Sequence, residues 1–320
     1  MKAVVYKEYG DPSVLQVIEM DKPKINENEV LVKVGASGIN PVDTYFRSGI
    51  RQVPSFPHIP HFDVAGTVVE VGSDVSKWNV GDRVWGTNVK GSAAEYITAN
   101  EEVLFPLSSH LSEEEGAAIA MAFATAHIAL FFRAELELGE TVLIYGAAGA
   151  VGNAAVQLAK AKGAHVIATA SSEEKAAVAK DAGADDVIIY TKDNISDKVS
   201  ELTNSNGLSV ILDMSVSENI EKNLEMIQNG GRIVTIGSPK NNTPTLPWRL
   251  LNQKNANLLG VLLFTVPPKE LQRAGAEISS LFKEKKLKAH LAKSFSFEDA
   301  ALAHQAIENK TYSGNIVLTP

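Results

Sequence analysis

Short runs of apolar and β-branched residues, each closed by a turn residue, fill the first hundred positions. Lys2–Tyr6, Val30–Val34, Thr67–Val71 and Arg83–Trp85 have this form. Gly10-Asp11-Pro12, Gly72-Ser73-Asp74 and Val80-Gly81-Asp82 supply turns. This spacing predicts a compact, barrel-like all-β domain rather than βαβ units.

The pattern changes near Leu111. Ser112-Glu113-Glu114-Glu115 offers an N-cap followed by acids in the first turn, where the helix dipole favours them, and an alanine-rich helix follows. From Thr141 strands and helices alternate. Thr141–Tyr145, His165–Thr169, Val187–Tyr190, Val210–Met214 and Arg232–Ile236 read as strands; Val151–Ala161, Ser172–Ala182 and Ile220–Gln228 read as helices. Such alternation implies a parallel sheet covered by helices on both faces. Lys162-Gly163 and Asn229-Gly230-Gly231 place glycine where a helix C-cap needs positive φ. Beyond them, Leu258–Phe264 reads as a strand, Pro268–Phe282 as a helix and Lys283–Lys288 as its solvated end. A helix starts at Ser296-Phe297-Glu298-Asp299, and Gly314–Leu318 closes the chain as a strand. Periodicity alone leaves open whether this tail rejoins the first domain.

A chain of 320 residues exceeds what one core usually organises, which supports two domains. Thirty Lys and Arg against 38 Asp and Glu give a net charge of −8, which opposes nucleic-acid binding. Cysteine is absent, so disulfides, thiolate nucleophiles, Fe–S clusters and Cys-ligated zinc are excluded. The start, Met1 to Glu8, has no signal-peptide core. The longest apolar stretch, Gly116 to Phe132, is interrupted by Thr125 and His127 and is shorter than the ~20 residues of a spanning helix. A cytoplasmic protein with no membrane partner is expected.

The chemistry concentrates at Thr141–Gly152. A hydrophobic strand runs into Gly146-Ala147-Ala148-Gly149-Ala150-Val151-Gly152, which opens directly into a helix. Small residues let backbone N–H groups approach a pyrophosphate, and the helix N-terminus stabilises its charge. The match to G-x-G-x-x-G is imperfect, because Ala147 holds the first glycine position. Its strand–turn–helix context makes it a dinucleotide site. NAD sites usually carry an acid ~20 residues beyond the glycines. Here that point is Thr169-Ala170-Ser171-Ser172, with Lys175 one turn on. Hydroxyls and an ammonium suit a 2′-phosphate, which predicts NADPH; Ser171 and Glu174 also have the spacing of a capping box.

Metal ligation is disfavoured. His58, His61 and Asp63 are close in sequence, but Pro57 and Pro60 prevent a regular element from presenting all three on one face. Without a Lewis acid, the easier hydride acceptors are quinones or alkenes conjugated to a carbonyl, whose phenolate or enolate product a few hydrogen-bond donors can stabilise.

Four segments, Gly35–Tyr45, Pro60–Val68, Val80–Val84 and Ala147–Gly152, resemble the zeta-crystallin-like NADPH:quinone oxidoreductases. These form the zinc-free branch of the medium-chain dehydrogenase/reductase superfamily. The resemblance runs the length of the chain. It implies an α/β protein with an N-terminal GroES-like β domain (1–120 with 290–320) and a Rossmann doubly wound parallel-sheet domain (121–289). It also implies a homodimer joined at the Rossmann sheet edge, through Leu258–Phe264. By the same resemblance Asn40 and Tyr45 donate hydrogen bonds near the nicotinamide or substrate oxygen, and Asp43 orients its neighbours. Thr125 meets the nicotinamide end. Ser171, Ser172, Lys175 and Tyr190 hold the adenine ribose, Ser215, Gly237, Ser238, Leu263 and Phe264 line the crevice, and Asn315 closes the nicotinamide pocket. Zinc-dependent relatives carry Gly-His-Glu where this chain has His61-Phe62-Asp63, and Gly86–Tyr96 contains no cysteine lobe. His61 stands where this branch often has glycine, so its ring is expected to narrow the cleft or touch substrate. The function implied is hydride transfer from NADPH to a quinone or similar enone. Reduction of an enoyl thioester or 2-alkenal, or a non-catalytic NADPH-binding sensor or structural role, are the alternatives.

Overall fold

The computed structural model describes residues 1–237 and 241–320. The chain forms two compact units, Met1–Ala124 with Leu271–Pro320, and Thr125–Glu270.

In the first unit, β1 (Lys2–Val5) pairs antiparallel with β2 (Gln16–Glu19). The long strand β3 (Glu29–Ile39) runs into a short helix, α1 (Pro41–Arg47), with Pro41 at the first helical position, where its missing N–H costs nothing. Strands β4 (Asp63–Val71), β5 (Arg83–Gly86), β6 (Tyr96–Asn100) and β7 (Leu104–Pro106) complete this part. Val30, Val32, Val34, Val64, Val68 and Val84 are buried in its core. The helix α2 (Glu113–His127) follows and continues as a π-helical turn over Ile128–Arg133. The 21 residues Glu113–Arg133 are long and apolar enough to cross a membrane, and 83% of their most apolar window is buried inside the protein.

The second unit alternates β8 (Thr141–Ile144), α3 (Ala150–Lys162), β9 (His165–Ala170), α4 (Glu173–Asp181), β10 (Asp186–Ile189), α5 (Ile195–Leu202), β11 (Leu208–Asp213), α6 (Val216–Met226), β12 (Ile227–Thr235), α7 (Trp248–Lys254) and β13 (Asn257–Gly260). All pairings are parallel, in the order β10-β9-β8-β11-β12-β13. Successive strands leave β8 in opposite directions, so a crevice opens at the carboxyl ends of β8 and β11, the topological switch point. Gly163 caps α3 in the left-handed conformation, φ 87°. Gly230 is not a helix cap: α6 stops at Met226, and Asn229-Gly230-Gly231 lie inside β12, where the register against β11 shifts. The strand expected through Phe264 ends at Gly260, because Leu263–Thr265 coil into a 3₁₀ turn.

The tail comprises α8 (Pro268–Lys283), β14 (Leu291–Ser296), α9 (Ala300–Glu308) and β15 (Asn315–Thr319). β15 pairs antiparallel with β3, and the sheet runs β14-β15-β3-β4-β5-β7, with β6 also on β3. The tail joins the first unit from Leu271, ahead of the residue 290 expected from sequence. Aromatic packing is the reason: Phe282 meets Phe123 with ring centroids 5.0 Å apart, and Trp85 Nε1 donates to Ser279 Oγ at 2.9 Å.

Candidate functional site

The glycine-rich turn sits at the switch point. Gly146 has φ 63° and donates its N–H to Thr169 Oγ1 (3.2 Å), while the Ala147 N–H donates to the Thr169 carbonyl (3.3 Å). The turn is thus braced by β9. A Cβ at Gly152 would lie 2.3 Å from the Gly146 oxygen, so only glycine lets α3 start this close to the turn. Gly146 faces open space, and a Cβ at Gly149 would meet only the Gly146 oxygen at 3.3 Å. Backbone at the start of α3 is therefore approachable by a pyrophosphate, and the residues present fit a dinucleotide.

Other expected cofactor residues of this unit follow the carboxyl ends of the same parallel strands: Ser171 and Ser172 after β9, Tyr190 after β10, Ser215 after β11, Gly237 after β12, Leu263 and Phe264 after β13. Thr125 lies buried on α2, and Ala148, Ala150 and Val151 lie within or just past the turn. Ser238 lies outside the described residues. The helix cap is Ser172, not Ser171: Ser172 Oγ accepts the Lys175 N–H at 3.3 Å. Lys175 is exposed, and Glu173 is paired with Lys192 at 2.6 Å. Beneath the crevice, Asp213 accepts from Ser215 N–H (2.7 Å), Asn219 (3.1 Å) and Asn223 (2.7 Å), and Tyr145 donates to Asn223 Oδ1 (2.9 Å). Burial raises the Asp213 carboxyl above its usual range. This network joins β8, β11 and α6; sequence gave no warning of it, because its members are scattered over 79 positions from Tyr145 to Asn223.

In the first unit the decisive side chain is Asp63, which opens β4 opposite Gly38. Its carboxylate accepts from Asn40 Nδ2 (2.7 Å), Thr87 Oγ1 (2.6 Å) and the Met121 N–H (3.0 Å). Burial nevertheless pushes its pKa up to about 6, against the pull of those three donors. Asp43 accepts the Asn40 backbone N–H at 2.6 Å, while its other oxygen is buried without a partner. Burial, and then the nearby Asp63, hold Asp43 well above the usual carboxylate range. Tyr45 lies on the open side of α1, 36% exposed. Asn315 is buried, its amide donating to the His290 carbonyl at 3.2 Å. Sequence reasoning reads Asp63 only as a candidate metal ligand and misses this role, because the register that sets it opposite Gly38 joins positions 25 apart and has no local pattern.

His61 does not reach outward as expected. Its ring is turned into the first unit, 1% exposed, with φ 74°; Nδ1 meets Ser37 Oγ at 3.0 Å and Nε2 meets His304 Nε2 at 2.9 Å. Among the described residues, no group of three or more His, Cys, Asp or Glu is placed to hold a metal ion.

Two family descriptions match the chain: "Alcohol dehydrogenase GroES-like domain" over residues 26–109 and "Zinc-binding dehydrogenase" over residues 150–280. The human quinone oxidoreductase is 34% identical over 310 residues, covering 96% of this chain and 94% of the relative. The chain belongs to the quinone oxidoreductase family of the medium-chain dehydrogenase/reductase superfamily. Among solved structures, Escherichia coli quinone oxidoreductase complexed with NADPH superposes with a TM-score of 0.88 at 30% identity, covering 100% of both chains. The CurK enoyl reductase superposes with a TM-score of 0.89 at 26% identity, covering 99% of this chain and 98% of that one.

Proposed function

We propose that the protein is an NADPH-dependent reductase of quinones or similarly electron-poor enones. The observation that carries this reading is Asn40. Its amide nitrogen bears two hydrogens; buried Asp63 takes one, which fixes the rotamer and leaves the second to a substrate oxygen. The turn from Gly146 to Gly152 would hold the pyrophosphate, with Ser171, Ser172, Lys175 and Tyr190 at the adenine ribose. NADPH over NADH follows from Lys175 and from Glu173, whose carboxylate is already paired with Lys192.

When bound, NADPH supplies the hydride. Addition to a quinone leaves negative charge on the substrate oxygen, and donors already aimed there stabilise it without reorganising. Asn40 donates one hydrogen bond and the Tyr45 hydroxyl a second. Tyr45 is also open to water, from which the proton needed to complete the hydroquinone can be replaced. Asp43 holds the Asn40 backbone at the start of α1. The likeness to an enoyl reductase supports a second substrate class, α,β-unsaturated thioesters, whose enolate needs the same donors.

We also assign a homodimer, formed along the outer strand β13. Leu258 on this strand is 41% exposed and Leu262, just past its end, 43%, and an open apolar edge favours pairing with a second copy.

The test is to mix protein and NADPH with 1,4-benzoquinone or 9,10-phenanthrenequinone and follow the nicotinamide absorbance. Turnover with NADPH faster than with NADH supports the assignment. Tight NADPH binding without turnover of any quinone or enone overturns it.

A further inference from the structure

A line of five buried side chains crosses the first unit. Ser92 Oγ lies 2.9 Å from Ser37 Oγ, Ser37 Oγ 3.0 Å from His61 Nδ1, His61 Nε2 2.9 Å from His304 Nε2, and His304 Nδ1 3.5 Å from Arg47 Nη1. Arg47 is held at its other end by Glu308 and by the Gly10 carbonyl (3.1 Å). The two imidazole rings are nearly parallel, inclined 19°.

The chemistry of the end member sets the direction of the line from Arg47 to Ser37. A guanidinium only donates, so His304 Nδ1 accepts and its single hydrogen sits on Nε2. That hydrogen points at His61 Nε2, which must accept, so His61 carries its hydrogen on Nδ1 and gives it to Ser37. Ser37 and Ser92 are joined hydroxyl to hydroxyl, where either can donate. The bonds from Arg47 to Ser37 run the same way, and both histidines are neutral with a determined tautomer. Charging either ring would set two N–H groups against each other beside buried Arg47. Burial lowers both rings, His61 to about 3, in agreement with this. Arginine cannot pass a proton on, so the line is a clamp and not a conduit from Glu308.

What it clamps is the turn before Asp63. His61 occupies a left-handed backbone conformation that side chains oppose. Its carbonyl accepts the Gly91 N–H at 3.1 Å, and the Phe62 carbonyl accepts the Val89 N–H at 2.9 Å. The ring bonds to Ser37 on β3 and His304 on α9 add the side-chain half of that hold. Two residues on, Asp63 grips Asn40.

We propose that His61 and His304 are positioning residues, forming a tautomer-locked clamp that fixes the Phe62–Asp63 turn and so keeps the Asn40 amide aimed at the substrate oxygen. The role given to Asn40 rests on the function proposed above; the clamp itself does not.

The test uses the full-length protein with three variants. H61G keeps a backbone that tolerates positive φ and removes the ring, H304L removes the donor to His61, and H304Q supplies an amide that can accept from Arg47 and donate to His61. Nitrogen-15 NMR of histidine-labelled wild type should show His304 protonated on Nε2 and His61 on Nδ1 at pH 7; the opposite tautomers, or an imidazolium, overturn the clamp. The Asn40 side-chain proton bonded to Asp63 should exchange at least tenfold faster in H61G and H304L than in wild type or H304Q, with NADPH affinity within twofold. Retained protection in folded H61G and H304L overturns positioning. Should H61G not fold, the tautomers and the H304Q–H304L pair still decide. With quinone as substrate, kcat should fall about tenfold in H304L and recover in H304Q. If protection is lost as expected but wild type never reduces quinones, the clamp stands and the proposed function falls.

Discussion

Asp63 faces three donors and holds Asn40 best while it is ionised. A proton on Oδ1 would reverse the Thr87 bond, and the neutral carboxyl would keep the Asn40 amide at Oδ2 only by a weaker bond than the carboxylate makes. With its pKa at about 6, the quinone reductase rate should fall as pH drops through 6 toward a lower plateau and be flat above it. The same group contributes to stability with the opposite sign. Its folded pKa lies above the model-peptide value of 3.8, so the buried charge costs on the order of 3 kcal/mol at neutral pH. That cost is relieved as pH falls from 6 toward 3.8. A pH–kcat profile with no acid limb near 6, or one unchanged in Asp63→Asn, would contradict the assignment. Tyr45 offers a simpler test. It lies on the open side of α1, so Tyr45→Phe should leave the fold and NADPH affinity intact while lowering kcat about tenfold, the loss of one transition-state donor. An undiminished kcat removes Tyr45 from the chemistry.

At the scale of elements, the β8–α3 turn was legible because its requirements are local. A strand, two glycines with open backbone and a helix start must be contiguous, and here they are. Gly149 is the N-cap of α3, at φ −81° and ψ 171°, where a Cβ would meet the Gly146 oxygen at 3.3 Å, so the turn must give by a few tenths of an ångström to take a side chain. Aspartate is a favoured N-cap residue, which offsets that cost, so Gly149→Asp should still fold. Its carboxylate would occupy the place of a phosphate, and calorimetry should show the NADPH dissociation constant rising at least a hundredfold. Unchanged affinity would move the cofactor elsewhere. Elements that depend on distant partners were not legible. The helix α1 has seven residues, the first a proline, and little periodicity of its own, and α7 is equally short; α5 passes unseen although Asn194 caps it and Ile195, Val199 and Leu202 recur at helical spacing. His61 was misplaced because its partner, His304, is 243 positions away and no local pattern connects them.

For the whole molecule, the alternation of strands and helices revealed the parallel sheet, but not where its last strand stops. β13 has four residues, of which Leu258 is exposed and Leu259 half-buried, and it pairs only with β12 among the described residues. Strand edges with unpaired backbone groups and apolar side chains recruit partners unless they are blunted by charge or proline, and Asn257–Gly260 contains neither. A two-fold pairing of β13 with itself would continue the six-stranded sheet across both copies. Light scattering of the wild type should therefore give about twice the 34.3 kDa of one chain. Leu258→Lys places an ammonium on that edge, where each copy would meet its like across the axis. It should shift the mass to that of a single chain and leave NADPH affinity unaltered, since the phosphate turn lies at β8, three strands inward. A dimer that survives this change is built on another surface, and a wild type that is monomeric at micromolar concentration leaves β13 as an ordinary free edge.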